Sequence, residues 1–428
     1  MNVAVIGGGF AGLSAAVTLA NKGFSITLFE SAPQLGGRAR TVTMNEATVD
    51  NGQHILIGAY RETLKIMELV GVDPKAVLLR LPLHLSIPSH FELKAPLLPS
   101  PFHLLIALLT TKGLSIQERI AAAQFMARMK RINFTLHVDT NVSELLETEN
   151  QNTAAIGYIW EPLCIAALNT PIRNASAQVF LNVLRDSLAG PRKASDLLLP
   201  KKDIGQIFPE PAAQYIQAKG GKIHLKHRVV QLDADDSQVT IRTGSQTMPF
   251  DYVICATAPQ HALQILKPIP ECEAIVETLG KFNYQPIYTV YLRYGENVRL
   301  PEPMMGLSGG IAQWVFDHGQ LTGQDGLLAA VISATGPHEK MDHKTLAMQI
   351  HQEISHHFGP WPTPNWMQVI GEKRATFASM LGISRPDQQT PIARLLLAGD
   401  YTASEYPATI EAAVRSGVKC AQLILDQS

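Results

Sequence analysis

Residues 3–30 constrain this chain more than any other stretch. Val3 to Ile6 is a short apolar run suited to a buried parallel strand. Gly7, Gly9 and Gly12 then fall on G-x-G-x-x-G. The first glycine permits a tight turn, the second lets a pyrophosphate approach the backbone, and the third lets helix and strand pack closely. The following helix offers free N–H groups and the positive end of its dipole. Leu13, Ala16, Val17 and Ala20 form its buried stripe, and Gly23 is a fitting stop. Ile26 to Phe29 reads as a second strand. Glu30 ends it where an acid can accept hydrogen bonds from an adenosine ribose. Strand, helix, second strand and acid in register favour dinucleotide binding over a merely structural glycine turn.

With 428 residues the chain can bury large cores, and two domains are the default. A formal net charge of −1 gives no basic field that would suggest nucleic acid. Cys164, Cys255, Cys272 and Cys420 are scattered without a C-x-x-C pair, which argues for free thiols in a reducing compartment and against a metal site. The first strand occupies the N-terminus, so no secretory signal is expected. No uninterrupted apolar run reaches the ~18 residues of a membrane span.

After Glu30 comes Ser31-Ala-Pro-Gln-Leu-Gly-Gly-Arg38. Adjacent glycines bring backbone N–H groups close to a ligand, and Arg38 can neutralise a pyrophosphate. A glycine turn with a solvated arginine is the plain alternative. Glutamate, short spacer and Gly-Gly-Arg resemble the FAD-binding amine oxidase and phytoene desaturase superfamily. The segment Asp50-Asn51-Gly52-Gln53-His54, with Gly58, Tyr60 and Arg61, is narrower. So is Trp160-x-Pro162-Leu163-x-x-Ala166-x-x-Asn169. Both resemble the hydroxysqualene dehydroxylases, bacterial squalene-associated FAD proteins. The C-terminal strand, Gly399-Asp400 and the helix starting near Thr409 also match the superfamily, with Ala412 where many relatives have glycine. The resemblance therefore spans nearly the whole chain.

That resemblance implies FAD held by Gly7, Gly9, Phe10, Ala11, Gly12, Glu30, Ser31, Gly36, Gly37, Arg38, Gly52, Gln53 and His54. Further along it implies Val229 at the adenine, Ala256 and Thr257 beside the cofactor, and Gly399, Asp400, Thr409 and Ile410 near the ribitol and flavin. A helix N-terminus there would stabilise an anionic reduced flavin. His54 donates to the flavin, faces substrate, or simply holds its loop. His54 and Glu161 are the candidates for a catalytic acid.

The middle of the chain is read from its patterns. A helix spans 61–75. Residues 78–114 are apolar and broken by Pro82, Pro88, Pro96, Pro99 and Pro101, which suits a pocket mouth, an interfacial segment, or an ordinary buried helix. Ser115-Ile-Gln-Glu118 is a capping box opening a helix through about Arg131. Helices are expected at Tyr158–Leu168, Ala175–Leu188, Pro211–Lys219 and 342–357. Strands are expected at 223–225, Val229–Leu232, Val239–Arg242 and Tyr252–Cys255, with a polar turn at Asp233–Ser237. Further strands are Ile287–Tyr294, Trp314–Phe316, Leu327–Ser333 and Trp366–Ile370. Tyr284, Tyr288, Tyr291, Trp314 and Phe316 line an apolar cavity or pack in a core.

The fold class expected is α/β: a Rossmann-like FAD-binding domain from residues 1–77, 204–265 and 385–428, interleaved with a substrate domain of mixed sheet and helices from 78–203 and 266–384. The resemblance implies reductive removal of the hydroxyl of hydroxysqualene, giving squalene for hopanoid biosynthesis. The electron donor is open, because no second glycine fingerprint offers a nicotinamide site. A polyprenoid or carotenoid-type desaturase or isomerase is the first alternative. A non-enzymatic prenyl-lipid carrier is the alternative of another class. The implied partner is a long-chain triterpene, with no nucleic acid and no metal. The implied location is cytoplasmic, at the inner face of the cell membrane, with peripheral contact around Leu97–Leu109.

Overall fold

The computed structural model describes residues 1–427 apart from Glu46, Asp235, Asp236 and Ser245. A five-stranded parallel sheet carries the N-terminal fingerprint. Its order is Lys222–His224, Ser25–Phe29, Asn2–Ile6, Tyr252–Cys255 and Leu395–Leu397. Side chains of a strand alternate between its faces, and here the faces feed different cores. Val3, Val5, Ile254 and Leu396 pack with helices Phe10–Asn21, Pro209–Ala218 and Ile410–Leu425. Ala4, Ile6, Val253 and Leu395 pack on the other side. There they meet helices Pro259–Leu266 and Glu273–Gly280 and the antiparallel strands Val229–Ala234, Val239–Thr243 and Gln246–Phe250. The helix Phe10–Asn21 is buried almost all round, not only along the expected stripe. It lies between the sheet and the C-terminal helix. A Cβ on Gly417 of that helix would stand 2.1 Å from the Ala11 carbonyl oxygen, so glycine sets the spacing of the two helices.

A second five-stranded sheet has the order Met304–Gly306, Trp314–Asp317, Leu327–Ser333, Tyr284–Arg293 and Trp366–Phe377. The expected combination of sheet and helix is present, and each pairing within this sheet is antiparallel. Helix His343–Phe358 packs on it through Leu346, Ile350 and Ile354. A helical layer completes the molecule. The capping box at Ser115 and Glu118 forms as expected and opens Ile116–Arg131. Ala122, Phe125, Met126 and Met129 of that helix are buried against Phe102–Thr110 and the run 153–168, which includes one π-turn at Ile156–Trp160.

Several elements differ from expectation. The proline-rich stretch 78–114 holds three short strands, Leu78–Leu81, His84–Ile87 and Phe91–Lys94, before its helix. The hairpin Thr41–Met44 with Ala47–Asp50 carries no local signal strong enough to announce it. Asp233 and Ala234 extend the strand that was expected to stop at Leu232. Asp235 and Asp236, the centre of the expected turn, lie outside the described residues. Tyr288, Tyr291 and Phe316 are core residues, and neither they nor Tyr284 and Trp314 line the large cavity described below. All four cysteines are free and buried. Among the described residues no helix is long and apolar enough to cross a membrane, and no group of three or more His, Cys, Asp or Glu could hold a metal.

Candidate active site

A cavity of about 990 Å³ runs from the fingerprint turn to the second sheet. Its first end is built by the parallel strands. Gly7 has φ +108°, and a Cβ there would meet the Ala256 carbonyl oxygen at 2.6 Å, so only glycine fits this turn. A Cβ on Gly12 would lie 2.0 Å from the Gly7 carbonyl oxygen. Gly12 accordingly serves packing and stays out of the cavity wall. Gly9 is different: a Cβ there would have no neighbour closer than the Gly37 Cα at 4.0 Å. The space between these two glycine turns is therefore open. Glu30 is buried, and its Oε2 accepts from the Gly8 N–H at 2.7 Å while Oε1 accepts from the Ala32 N–H at 2.7 Å. The acid is thus fixed beside the fingerprint, with lone pairs left for further donors.

The middle of the cavity is organised by charge. Arg38 Nη2 donates to Asp400 Oδ1 at 2.6 Å, and Nη1 donates to the Ala375 carbonyl at 2.7 Å. Burial opposes the Arg38 charge, but Asp400 more than offsets it, so the guanidinium is held above its usual value. Asp400 follows the fifth parallel strand, Leu395–Leu397, and the loop around it is gathered by Arg385. That guanidinium donates to the carbonyls of Asp400, Thr402, Ser404 and Tyr406 and lies over the Phe377 ring. Burial lowers its pKa to about 10, partly offset by Asp400. Thr409 caps the C-terminal helix by accepting from the Ala412 N–H at 3.1 Å, and alanine in place of glycine leaves that cap intact. Glu411 reaches from the same turn to the helix Arg61–Leu69. It is fully buried and accepts from the Glu62 and Thr63 N–H groups, the Thr63 hydroxyl and Arg415.

The inner end is assembled from distant segments. Gln53, His54 and Ile55 follow the Asp50 hairpin, Ala166, Ala167 and Asn169 end a helix, and Gly371–Thr376 belong to the long edge strand. Gln53 Oε1 accepts from His318 Nε2 at 2.9 Å, and the Gln53 backbone N–H donates to the Thr289 hydroxyl at 3.2 Å. Burial lowers His54 to about 4, partly offset by the Gly52 backbone, so its imidazole is neutral at pH 7. Its Nδ1 is buried without a partner among the described residues.

The expected site residues come together with two exceptions. Gly7, Gly9, Phe10, Ala11, Glu30, Ser31, Gly36, Gly37 and Arg38 line the cavity, as do Gly52, Gln53 and His54. Val229, Ala256, Thr257, Gly399, Asp400, Thr409 and Ile410 do so as well. Gly12 does not, for the packing reason above. Glu161 does not either: it sits in the first turn of its helix, and only residues of the last turn, Ala166 to Asn169, reach the wall. Sequence reasoning missed Arg385, Gln260, Tyr401 and the strip Gly371–Thr376. The strip's signal is a charged run, Glu372-Lys373-Arg374, inside an otherwise strand-like segment.

These residues fit a dinucleotide with a flavin. A volume near 1,000 Å³ is at the upper end for cofactor sites. Besides His54 Nδ1, the cavity-lining residues Gln260 and Tyr401 carry buried oxygens without partners among the described residues. Buried polar atoms are nearly always paired, so such a set in one cavity marks a place for a polar ligand.

The family model of flavin-containing amine oxidoreductases matches residues 10–425. The chain belongs to this family and is an FAD-dependent oxidoreductase. Among relatives, it is 28% identical to a hydroxysqualene dehydroxylase of Zymomonas mobilis, with 99% of each chain covered. It is 24% identical to a zeta-carotene desaturase of a Synechocystis species, over 99% of this chain and 97% of that one. The solved structure of an oxidoreductase from Methanosarcina mazei resembles it with a TM-score of 0.79 at 14% identity, over 99% of this chain and 100% of that one. Putrescine oxidase bound to putrescine gives a TM-score of 0.73 at 15% identity. Both likenesses are of fold.

Proposed function

We propose that this enzyme reductively removes the hydroxyl of hydroxysqualene to give squalene, a step of hopanoid biosynthesis. The observation that carries the reading is full-length similarity to proteins named hydroxysqualene dehydroxylase, together with a cavity whose inner end mixes Ile55, Ala166, Ala167 and Ile287 with a few polar groups. Reduced FAD supplies hydride to this reaction. The chain must bind the cofactor, hold a hydrocarbon with little water, and protonate the departing oxygen. In this reading the glycine turns and Glu30 take the adenosine and pyrophosphate, Arg38 and Asp400 flank the ribitol, and the N-terminus at Thr409 and Ile410 faces the flavin. The cofactor-binding unit comprises residues 1–77, 204–265 and 385–428, and the substrate unit 78–203 and 266–384. Packing of Ile269, Cys272 and Ile275 under the parallel sheet adds that segment to the first unit's core.

The similarity to zeta-carotene desaturases favours a second reading, hydride removal from a polyene. The two differ in electron direction. Oxidised enzyme should leave hydroxysqualene intact, whereas consumption by oxidised enzyme without a reductant would refute hydride delivery.

The same reading places the protein at the inner face of the membrane. Phe102, Leu105, Ile106 and Leu109 occupy positions i, i+3, i+4 and i+7 of one helix and are all exposed, while Leu104 and Leu108 face the core. Ile116, 71% exposed, and Ile120, also exposed, lie on the next helix. A helix apolar on both faces is expected to be covered. A lipid bilayer is the cover proposed, because a triterpene has negligible solubility in water. Each CH₂ buried contributes about 0.8 kcal/mol, so a few such side chains suffice for reversible attachment.

A further inference from the structure

The ladder between Tyr284–Arg293 and Trp366–Phe377 breaks at the inner end of the cavity. Gln285 pairs with Thr376 and Ile287 with Glu372, so Lys373, Arg374 and Ala375 lie opposite the single residue Pro286. Proline has no N–H to give the ladder, so the interruption is written into the strand. The bulge is held from both sides. Arg38 grips the Ala375 carbonyl at 2.7 Å. Across from it, Asn169 Nδ2 donates to the Pro286 carbonyl at 3.2 Å and to the Thr376 hydroxyl at 3.0 Å, while Asn169 Oδ1 accepts from the Ala334 N–H at 2.7 Å. Bulges beside active sites serve to re-aim side chains.

Two cations on this bulge line the cavity. Arg374 is engaged: its guanidinium lies 5.7 Å from the Tyr284 ring centroid. Lys373 is exposed, and its side chain has no hydrogen-bond or ion-pair partner among the described residues. Two other titratable groups of the cavity, His54 and Tyr60, are poorly suited to give up a proton. His54 is neutral at pH 7, and burial holds the Tyr60 hydroxyl above its usual value.

We propose that the Lys373 ammonium is the acid that protonates the leaving hydroxyl of the substrate, a role that rests on the reading of the substrate as a triterpene alcohol. The C–O bond breaks with its electron pair on oxygen, the oxygen takes the proton from Nζ, and water leaves. The carbon takes hydride from reduced FAD, so the alcohol is reduced by two electrons and the cofactor is oxidised by two. Lys373 becomes a neutral amine and is reprotonated from solvent. A cationic acid suits this chemistry, because after the transfer no positive charge remains beside the electron-poor carbon.

The test uses reduced holoenzyme and two substrates, hydroxysqualene and its acetate ester, whose leaving group needs no proton. Lys373→Met should retain FAD and the flavin spectrum, slow turnover of hydroxysqualene by about 10²–10⁴-fold, and turn over the ester like wild type. Lys373→Arg, which keeps the charge but donates no proton, should behave like Lys373→Met. Full activity in either variant, loss of FAD in both, or equal slowing on both substrates would overturn the assignment. Wild-type enzyme that ignores hydroxysqualene would overturn the proposed reaction and the role of Lys373 with it. A defect confined to the variants, and to the alcohol, supports both.

Discussion

The two ends of the cavity are built in opposite ways. The nucleotide end is local: Gly7, Gly9 and Glu30 lie within one strand–helix–strand unit, and the parallel pairing of Asn2–Ile6 with Ser25–Phe29 brings them together. The inner end is non-local. His54, Asn169, Ile287 and Lys373 come from four separate segments and meet only through the antiparallel register of the second sheet and the hydrogen bonds of Asn169. A local site is specified by a short motif and tolerates little change within it. A non-local site is specified by packing, so its side chains are free to vary in chemistry while the frame holds them.

The comparison predicts that lesions at the two ends have different consequences. The largest effect belongs to the nucleotide end. Gly9→Glu fills the open space between the glycine turns, and Glu30→Ala removes the proposed ribose acceptor, so both should purify folded with almost no bound flavin. A full flavin absorption spectrum in both would break the comparison.

Asn169→Ala comes next. It removes four hydrogen bonds, from Asn169 to Gln285, Pro286 and Thr376 and from Ala334 to Asn169. We expect a loss of about 3 kcal/mol in denaturant unfolding, with FAD retained and kcat reduced more than KM is raised. Loss of flavin instead would mean that the ends are not separable.

Asp50 sharpens the contrast. Burial pushes its carboxyl up to about 7, with Asp203 adding to the shift and the Ile204 N–H opposing it. The folded state therefore holds this proton more tightly than the unfolded chain. Its contribution to stability is complete below about pH 4 and is lost as pH rises toward 7. Asp50→Asn should flatten that window and raise stability at pH 8, by at most on the order of 4 kcal/mol. An unchanged pH profile of thermal unfolding would show that the buried acid is not coupled to folding.

The smallest effect concerns the apolar face. Leu105, Ile106 and Leu109 replaced together by serine should abolish co-sedimentation with liposomes while FAD content and the melting temperature stay near wild type, because these side chains are exposed. Undiminished sedimentation would place membrane contact elsewhere.

Legibility in the sequence follows the same division. The fingerprint and the Ser115 capping box were readable because each depends on residues a few positions apart. The strand at Leu327–Ser333 was readable from its continuous apolar run. The hairpin at Thr41–Asp50 was not, since its pairing depends on packing under Tyr291, whose hydroxyl donates to the Asp50 carbonyl at 2.9 Å. The aromatics of the second sheet offered two readings, and burial decides for core, as large rings usually do. Arg385 could not be found from the chain, because its acceptors are backbone carbonyls that carry no residue signature. Glu161 stands beside a motif of which Ala166 and Asn169 reach the cavity, but it starts the helix at its far end.

The central claim is that electrons flow from the cofactor to the substrate at the inner end. Photoreduced enzyme mixed anaerobically with hydroxysqualene tests it most directly. The account predicts that the flavin reoxidises in a single phase and that one squalene appears per FAD. Flavin that stays reduced while hydroxysqualene persists, or squalene formed without flavin reoxidation, would contradict it.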